Sequence, residues 1–220
     1  MSIKVEIWGD YALFTRPEMK VERVSYDVIT PSAARGILEA IYWHPGLKWV
    51  IDSIQVCNPI KFTSIRTNEV KSKISATKAK KVMESGKGSL YLDASNDRQQ
   101  RSSLLLKNVR YVIEAHFEMT DQAGERDNKG KFQEIMKRRL QKGQCYHQPW
   151  MGCRDFSAYF KEATDEPIVS ESLAGEKDLG FMLYDMDYSD VENIKPMYFR
   201  ATMKNGMIRV PRKNSEEVLK

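Results

Sequence analysis

From Ile3 to Gly9 the chain alternates apolar and polar side chains, with Ile3, Val5 and Ile7 on one side and Lys4 and Glu6 on the other, which predicts a strand over 3–9. The period then changes. Ala34, Ile37, Leu38 and Ile41 recur at the spacing of one buried helical stripe and predict a helix over 31–43. Both of its ends are marked. Thr30 is an N-cap whose hydroxyl can accept from first-turn amides, Pro31 suits the first helical position, and Pro45-Gly46 stops the helix. Residues 48–57, closed by Asn58-Pro59, read as a second strand. A long strand is expected at about 107–119, with Val109, Tyr111, Ile113, Ala115 and Phe117 on one face and Arg110, Val112, Glu114, His116 and Glu118 on the other. Phe132, Ile135, Met136 and Leu140 form the stripe of a helix over 129–142, which Gly143 ends. Lys137, Arg138, Arg139 and Lys142 crowd its last turns, where cations suit the helix dipole. A strand at about 155–161 follows.

The order strand–helix–strand–strand–helix–strand predicts an α+β fold, a ferredoxin-like (RRM-like) βαββαβ domain over residues 1–162. A basic insertion at about 62–103 interrupts it, too long for an ordinary connection. Residues 75–84 have helical composition, and the rest of the insertion is expected to order on RNA. Residues 163–220 read as a small C-terminal antiparallel β-sheet, from strands near 181–185, 198–203 and 207–211. Lys204-Asn205-Gly206 is a hairpin turn signal, and the tail from Arg212 is expected to be loose.

Composition narrows the classes. Of 220 residues, 41% are hydrophobic and 30% charged, enough for a core in a soluble protein. No apolar run approaches the roughly 18 residues of a membrane span, and no signal peptide is visible. Cys57, Cys145 and Cys153 are odd in number and widely spaced, which speaks against a disulfide framework or zinc knuckle. A cytoplasmic protein with no cofactor, no metal and no membrane partner is the expectation. The net charge of +5 says less than its distribution: residues 61–110 hold twelve Lys and Arg against four acids. Such a field is the footprint of a phosphate-backbone binder, or of a solvated lysine-rich loop.

RNA can be cut without metal, because its own 2′-hydroxyl attacks the neighbouring phosphorus. The protein then supplies a base, an acid for the leaving 5′-oxygen, and positive charge for the phosphorane. The chain has three histidines. His116, with Glu114 and Glu118 on its face, fits an acid better than a base; its bland alternative is a strand histidine against solvent. His44 sits before Pro45 and His147 in a loop with Cys145, at a spacing that matches no standard metal cluster. Arg35, Glu39 and Tyr42 lie along the flank of the first helix, so a phenol within reach of solvent and a guanidinium can share an edge. Aromatic packing at a helix end is the commoner role of a pair such as Tyr42-Trp43, and on spacing alone it is the favoured reading.

Six blocks of wording resemble one family: Trp8 to Phe14 (WGDYALF), Ser25 to Gly36 (SYDVITPSAARG), Ser64 to Val70 (SIRTNEV), Arg98 to Arg101 (RQQR), Val112 to Phe117 (VIEAHF) and Gln148 to Phe156 (QPWMGCRDF). It is the CRISPR-associated Cas-five family of subtype I-C (Dvulg type), a branch of the repeat-associated RNA-binding superfamily. The resemblance implies a metal-independent endoribonuclease that cuts CRISPR repeat RNA, leaves a 2′,3′-cyclic phosphate and stays on the crRNA 5′ handle. Its implied partners are the backbone and large subunits of the subtype I-C interference complex. It also implies a catalytic tyrosine, matched by Tyr42, and a lysine–histidine pair of which only His116 is matched. Ala115 and Glu114 precede that histidine, so Lys107 or Arg35 would have to substitute for the lysine. Arg35, Arg66, Arg98 and Arg101 are the candidate RNA-backbone contacts. Two other classes stay open: a non-catalytic subunit that caps the 5′ handle, and a metal-dependent DNA nuclease, for which Asp185/Asp187 is the one tempting carboxylate pair.

Overall fold

β5 (Arg98–Met119) is 22 residues of extended chain, about 70 Å long, and the sheet is assembled along it. The computed structural model describes residues 2–19 and 21–219. The C-terminal half of β5 lies between β1 (Ile3–Ala12) and β3 (Leu47–Val56), both antiparallel to it. β6 (Tyr159–Glu162) pairs with the other edge of β1. Across this part of the sheet the order is β3-β5-β1-β6.

One face is sealed by two helices, α1 (Pro31–Ile41) and α3 (Lys129–Lys142), with α2 (Ala76–Ser85) lying between them in the chain. Thr30 Oγ1 accepts from Ala33 N at 3.2 Å, as its N-cap position predicts. Asn128 caps α3 in the same way, and Gly143 closes it in the left-handed region at φ 63. Ile37, Leu38 and Ile41 meet Phe132, Met136 and Leu140 over Val5, Ile7, Ile113 and Ala115 in one cluster. Trp49, 1% exposed, is anchored there by an indole hydrogen bond to Tyr42 O. Truncating a buried aromatic of this kind costs about 3–5 kcal/mol.

Four expectations need correction. The helix of 31–43 ends at Ile41, because Tyr146 N and His147 N reach Ala40 O at 2.9 Å and take over its last turn. The strand near 155–161 is shorter and later, at 159–162. The insertion is no loop awaiting RNA. β4 (Phe62–Val70) pairs with β5 from Phe62↔Leu106 to Val70↔Arg98, forming a two-stranded arm with α2 at its tip. β2 (Arg23–Val24) runs parallel along the other edge of β5 at Ser103 and Leu104. The changeover from β3 to β4 falls at Asn108, held in the left-handed region (φ 52), whose carbonyl accepts from Asn58 Nδ2 at 2.8 Å. The tail is also partly tied: β10 (Val218–Leu219) pairs with β8 and buries Val218.

β7 (Glu176–Asp187), β8 (Lys195–Lys204) and β9 (Met207–Arg209) form an antiparallel set, and β9 adds to β3 through Ser53↔Arg209, Ile54↔Ile208 and Gln55↔Met207. All ten strands among the described residues thus belong to one sheet. Asn205 and Gly206, both at positive φ, make the two-residue turn between β8 and β9 that the sequence signals. Gly152 pins a second loop: at φ 82 its absent Cβ would stand 2.2 Å from Leu13 O, so the 149–153 segment lies directly on the end of β1.

Candidate functional site

Side chains alternate along β5, so Phe117 and His116 point to opposite faces. Phe117 packs on Trp49 and on Phe132 of α3, which puts it under the helices. His116 therefore stands on the helix-free face. Its partner is not Glu114 or Glu118 but Asp52: Nδ1 lies 2.8 Å from both carboxylate oxygens. The register of β3 against β5 shifts between Ile51 and Ser53, and Asp52 is the extra residue of that bulge. A carboxylate on Nδ1 makes that nitrogen the donor and fixes the tautomer, leaving Nε2 for proton exchange. Glu114 instead accepts from Ser53 Oγ at 3.3 Å.

Two cations that sequence reading missed share this face. Val50 pairs with His116 and Lys48 with Glu118, so exposed Lys48 is the diagonal cross-strand neighbour of the imidazole, within reach of a long side chain. Arg209, exposed and paired with Ser53 on the far side of β3, is the second. Only the strand register makes them visible; in sequence Lys48 lies 68 positions from His116.

Tyr42 is elsewhere. Expected within reach of solvent, it is 4% exposed, its ring edge-on to Phe132 and under the Arg139 guanidinium at 4.9 Å. Burial pushes its phenol above the usual value, Arg139 opposes this and Asp127 adds to it, so near neutrality the group can donate a proton and cannot serve as a base. Its hydroxyl has no hydrogen-bond partner among the described residues. Tyr42 and His116, the two residues that match the family's catalytic positions, occupy the same end of the sheet but opposite faces. Lys107 is no substitute for the missing lysine at His116: nine residues along the strand is about 30 Å. It lies exposed at the root of the arm, opposite Tyr11.

Arg35 does not share an edge with Tyr42 either. Its Nε and Nη2 hold Asp185 of β7 at 3.0 and 2.8 Å, and its Nη1 holds Glu39 at 2.6 Å, tying α1 to the C-terminal strands. Asp185 is thereby engaged, and Asp187 takes Lys213 at 3.4 Å. Among the described residues no group of three or more His, Cys, Asp or Glu could hold a metal ion.

On the arm, Arg66 pairs with Ser102 and Arg98 with Val70, which sets both on one face with Gln100 and Asn68. Both are exposed, and neither makes an ion pair with a described residue. Arg101, three residues on, falls on the opposite face, where it lies 3.6 Å from Glu69 and donates to Val21 O. The Arg98/Arg101 pair of the sequence is thus split by the strand period.

The class is thus a helix-backed, mostly antiparallel sheet with a basic arm and an Asp–His pair on its open face. The family model described as CRISPR-associated protein (Cas_Cas5) matches residues 2–211. The CRISPR pre-crRNA endoribonuclease Cas5d of Mannheimia succiniciproducens is 52% identical, covering 98% of this chain and 97% of that protein. The protein of the same name from Thermus thermophilus is 37% identical over 98% of this chain and 94% of its own. In fold, the chain superposes on a CRISPR-associated protein of known crystal structure with a TM-score of 0.72 at 21% identity, covering 100% of this chain and 97% of that one. The chain belongs to the CRISPR-associated Cas5 family.

Proposed function

We propose that this protein is a metal-independent endoribonuclease that cuts CRISPR precursor RNA within the repeat. The 52% identity to a pre-crRNA endoribonuclease along nearly the whole chain carries this reading. In the cut, the 2′-hydroxyl attacks phosphorus as its proton passes to a base. The bond to the 5′-oxygen then breaks as an acid protonates that oxygen, leaving a 2′,3′-cyclic phosphate and a 5′-hydroxyl. His116 at Nε2 is the proton-transfer group, Asp52 orients it, and Lys48 with Arg209 offsets the phosphorane charge. Tyr42, one face away, meets RNA through its unbonded hydroxyl where the strand crosses this end of the sheet. Lys107 extends the basic track at the foot of the arm, and Arg35 acts by holding α1 to β7. The order β3-β5-β1-β6 around α1 and α3 supports reading residues 1–162 as a ferredoxin-like unit with 163–220 as its extension. As a cytoplasmic subunit it would keep the crRNA 5′ handle and join the backbone and large subunits of the interference complex.

Repeat RNA incubated with the pure protein in EDTA is expected to be cut; binding without cutting would favour the handle-capping role, which the missing lysine beside His116 suggests. Arg66 and Arg98 are the backbone contacts of the arm. Replacing both with Ala should weaken binding and flatten the plot of log affinity against log salt by about 0.7 per lost single-strand contact. Arg101→Ala, which removes a cation already beside Glu69, should flatten it less. Equal slopes for all three proteins would return the arm to a solvated surface.

A further inference from the structure

The segment Tyr146 to Gly152, read in the sequence as a loop and as part of one family block, walls an apolar groove. This groove, of about 600 Å³, runs between that segment and the outer face of α1. Its floor is small, since Gly36 and Ala40 share one side of the helix and a side chain on Gly36 would meet nothing within 4 Å. Its walls are aromatic and bare: Trp43 is 52% exposed, Tyr146 57% and Trp150 38%. Trp43 and Tyr146 stand nearly parallel, 27° apart with centroids at 6.3 Å. A helix row this small beside rings this open is shaped for a flat ligand.

We propose that the groove is a nucleobase subsite, taking an unpaired base of the RNA between the α1 floor and the Trp43/Tyr146/Trp150 walls. This rests on the endoribonuclease reading and adds to it a place where the bound strand is read. Glu39, which also lines the groove, is held by Arg35 at 2.6 Å, and cations around the groove favour RNA over an apolar peptide. The Arg154 guanidinium lies 5.1 Å over the Trp150 ring. Arg139 reaches Ile41 O at the carbonyl end of α1, where an anion would otherwise be repelled. Arg138 and Lys142 are exposed on α3 and have no carboxylate partner among the described residues. Aromatic faces combined with cations that track the backbone are how single strands are held. Gln148 Nε2 donates to Ala158 O at 3.1 Å, which leaves its Oε1 to accept from a base N–H.

The test uses the full chain and repeat RNA with a 2′-deoxyribose at its cut site, so that binding is read without cleavage. Trp43→Ala and Tyr146→Ala should each raise Kd about tenfold, as loss of one stacked base does, with the salt slope unchanged because no phosphate contact is lost. Gly36→Leu fills the floor; it should weaken binding similarly while melting no lower than wild type, since leucine is the better helix former. A photoreactive uridine scanned through the repeat should crosslink to Trp43 or Tyr146 at one position. If all three variants bind as wild type while Arg66→Ala/Arg98→Ala still weakens, the groove takes no base and the inference falls alone. It falls equally if the variants bind RNA normally but fail to assemble with partner subunits, which would make the groove a protein seat. Wild type failing to bind the repeat would overturn both readings.

Discussion

His116→Ala is expected to slow single-turnover cleavage of repeat RNA by about 10²–10⁴-fold, the usual cost of one acid–base group, with RNA affinity nearly unchanged. The expectation follows from position. His116 is the histidine that a carboxylate holds at hydrogen-bond distance on the helix-free face, 2.8 Å from Asp52. Asp52→Asn should cost about 10²-fold or more although it preserves shape, because a carboxamide can donate to Nδ1 and so reverse the tautomer. Tyr42→Phe, which keeps the ring against Phe132 and Arg139, should cost less than either. A loss in Tyr42→Phe matching that in His116→Ala would contradict the separation of the two groups across the sheet. Wild-type rates for His116→Ala would remove it from the mechanism.

The second large effect concerns charge. Lys48→Ala is expected to lower the cleavage rate by about 10²–10³-fold, comparable with removing one stabiliser of a developing oxyanion, and Lys48→Arg should recover most of it. The family's lysine beside the histidine is absent here, where Ala115 and Glu114 stand. The register Val50↔His116 supplies a lysine from the neighbouring strand instead. Rate constants for the two variants in single-turnover assays decide this. Unchanged cleavage in Lys48→Ala would leave Arg209 to carry the charge, and unchanged cleavage in the double variant would remove both cations from the site.

Much of the helical framework was legible because its signals are local. Thr30, Pro31 and Gly143 mark helix ends by their own backbone chemistry, and the stripes of α1 and α3 need only the helical period. The arm was hidden for the opposite reason. Both faces of β4 and of residues 98–103 are largely polar, so no alternation announces a strand. The site was half legible. His116 could be chosen from three histidines, but its partner depends on a bulge at Asp52, and Lys48 depends on a register that no pattern within one strand records. Arg35 looked like a ligand for RNA because its own partner, Asp185, lies 150 residues away. Arg98 and Arg101 looked like a pair until a strand period, not a helical one, placed them on opposite faces.

The measurement that bears most directly on the central claim is cleavage of repeat RNA in EDTA, with and without a single 2′-deoxyribose on the 5′ side of the scissile phosphate. The account predicts that the all-ribose RNA is cut to a 2′,3′-cyclic phosphate and a 5′-hydroxyl, and that the single 2′-deoxy substitution abolishes the cut while binding persists. Cleavage of the 2′-deoxy RNA, or a strict requirement for a divalent metal, would contradict it.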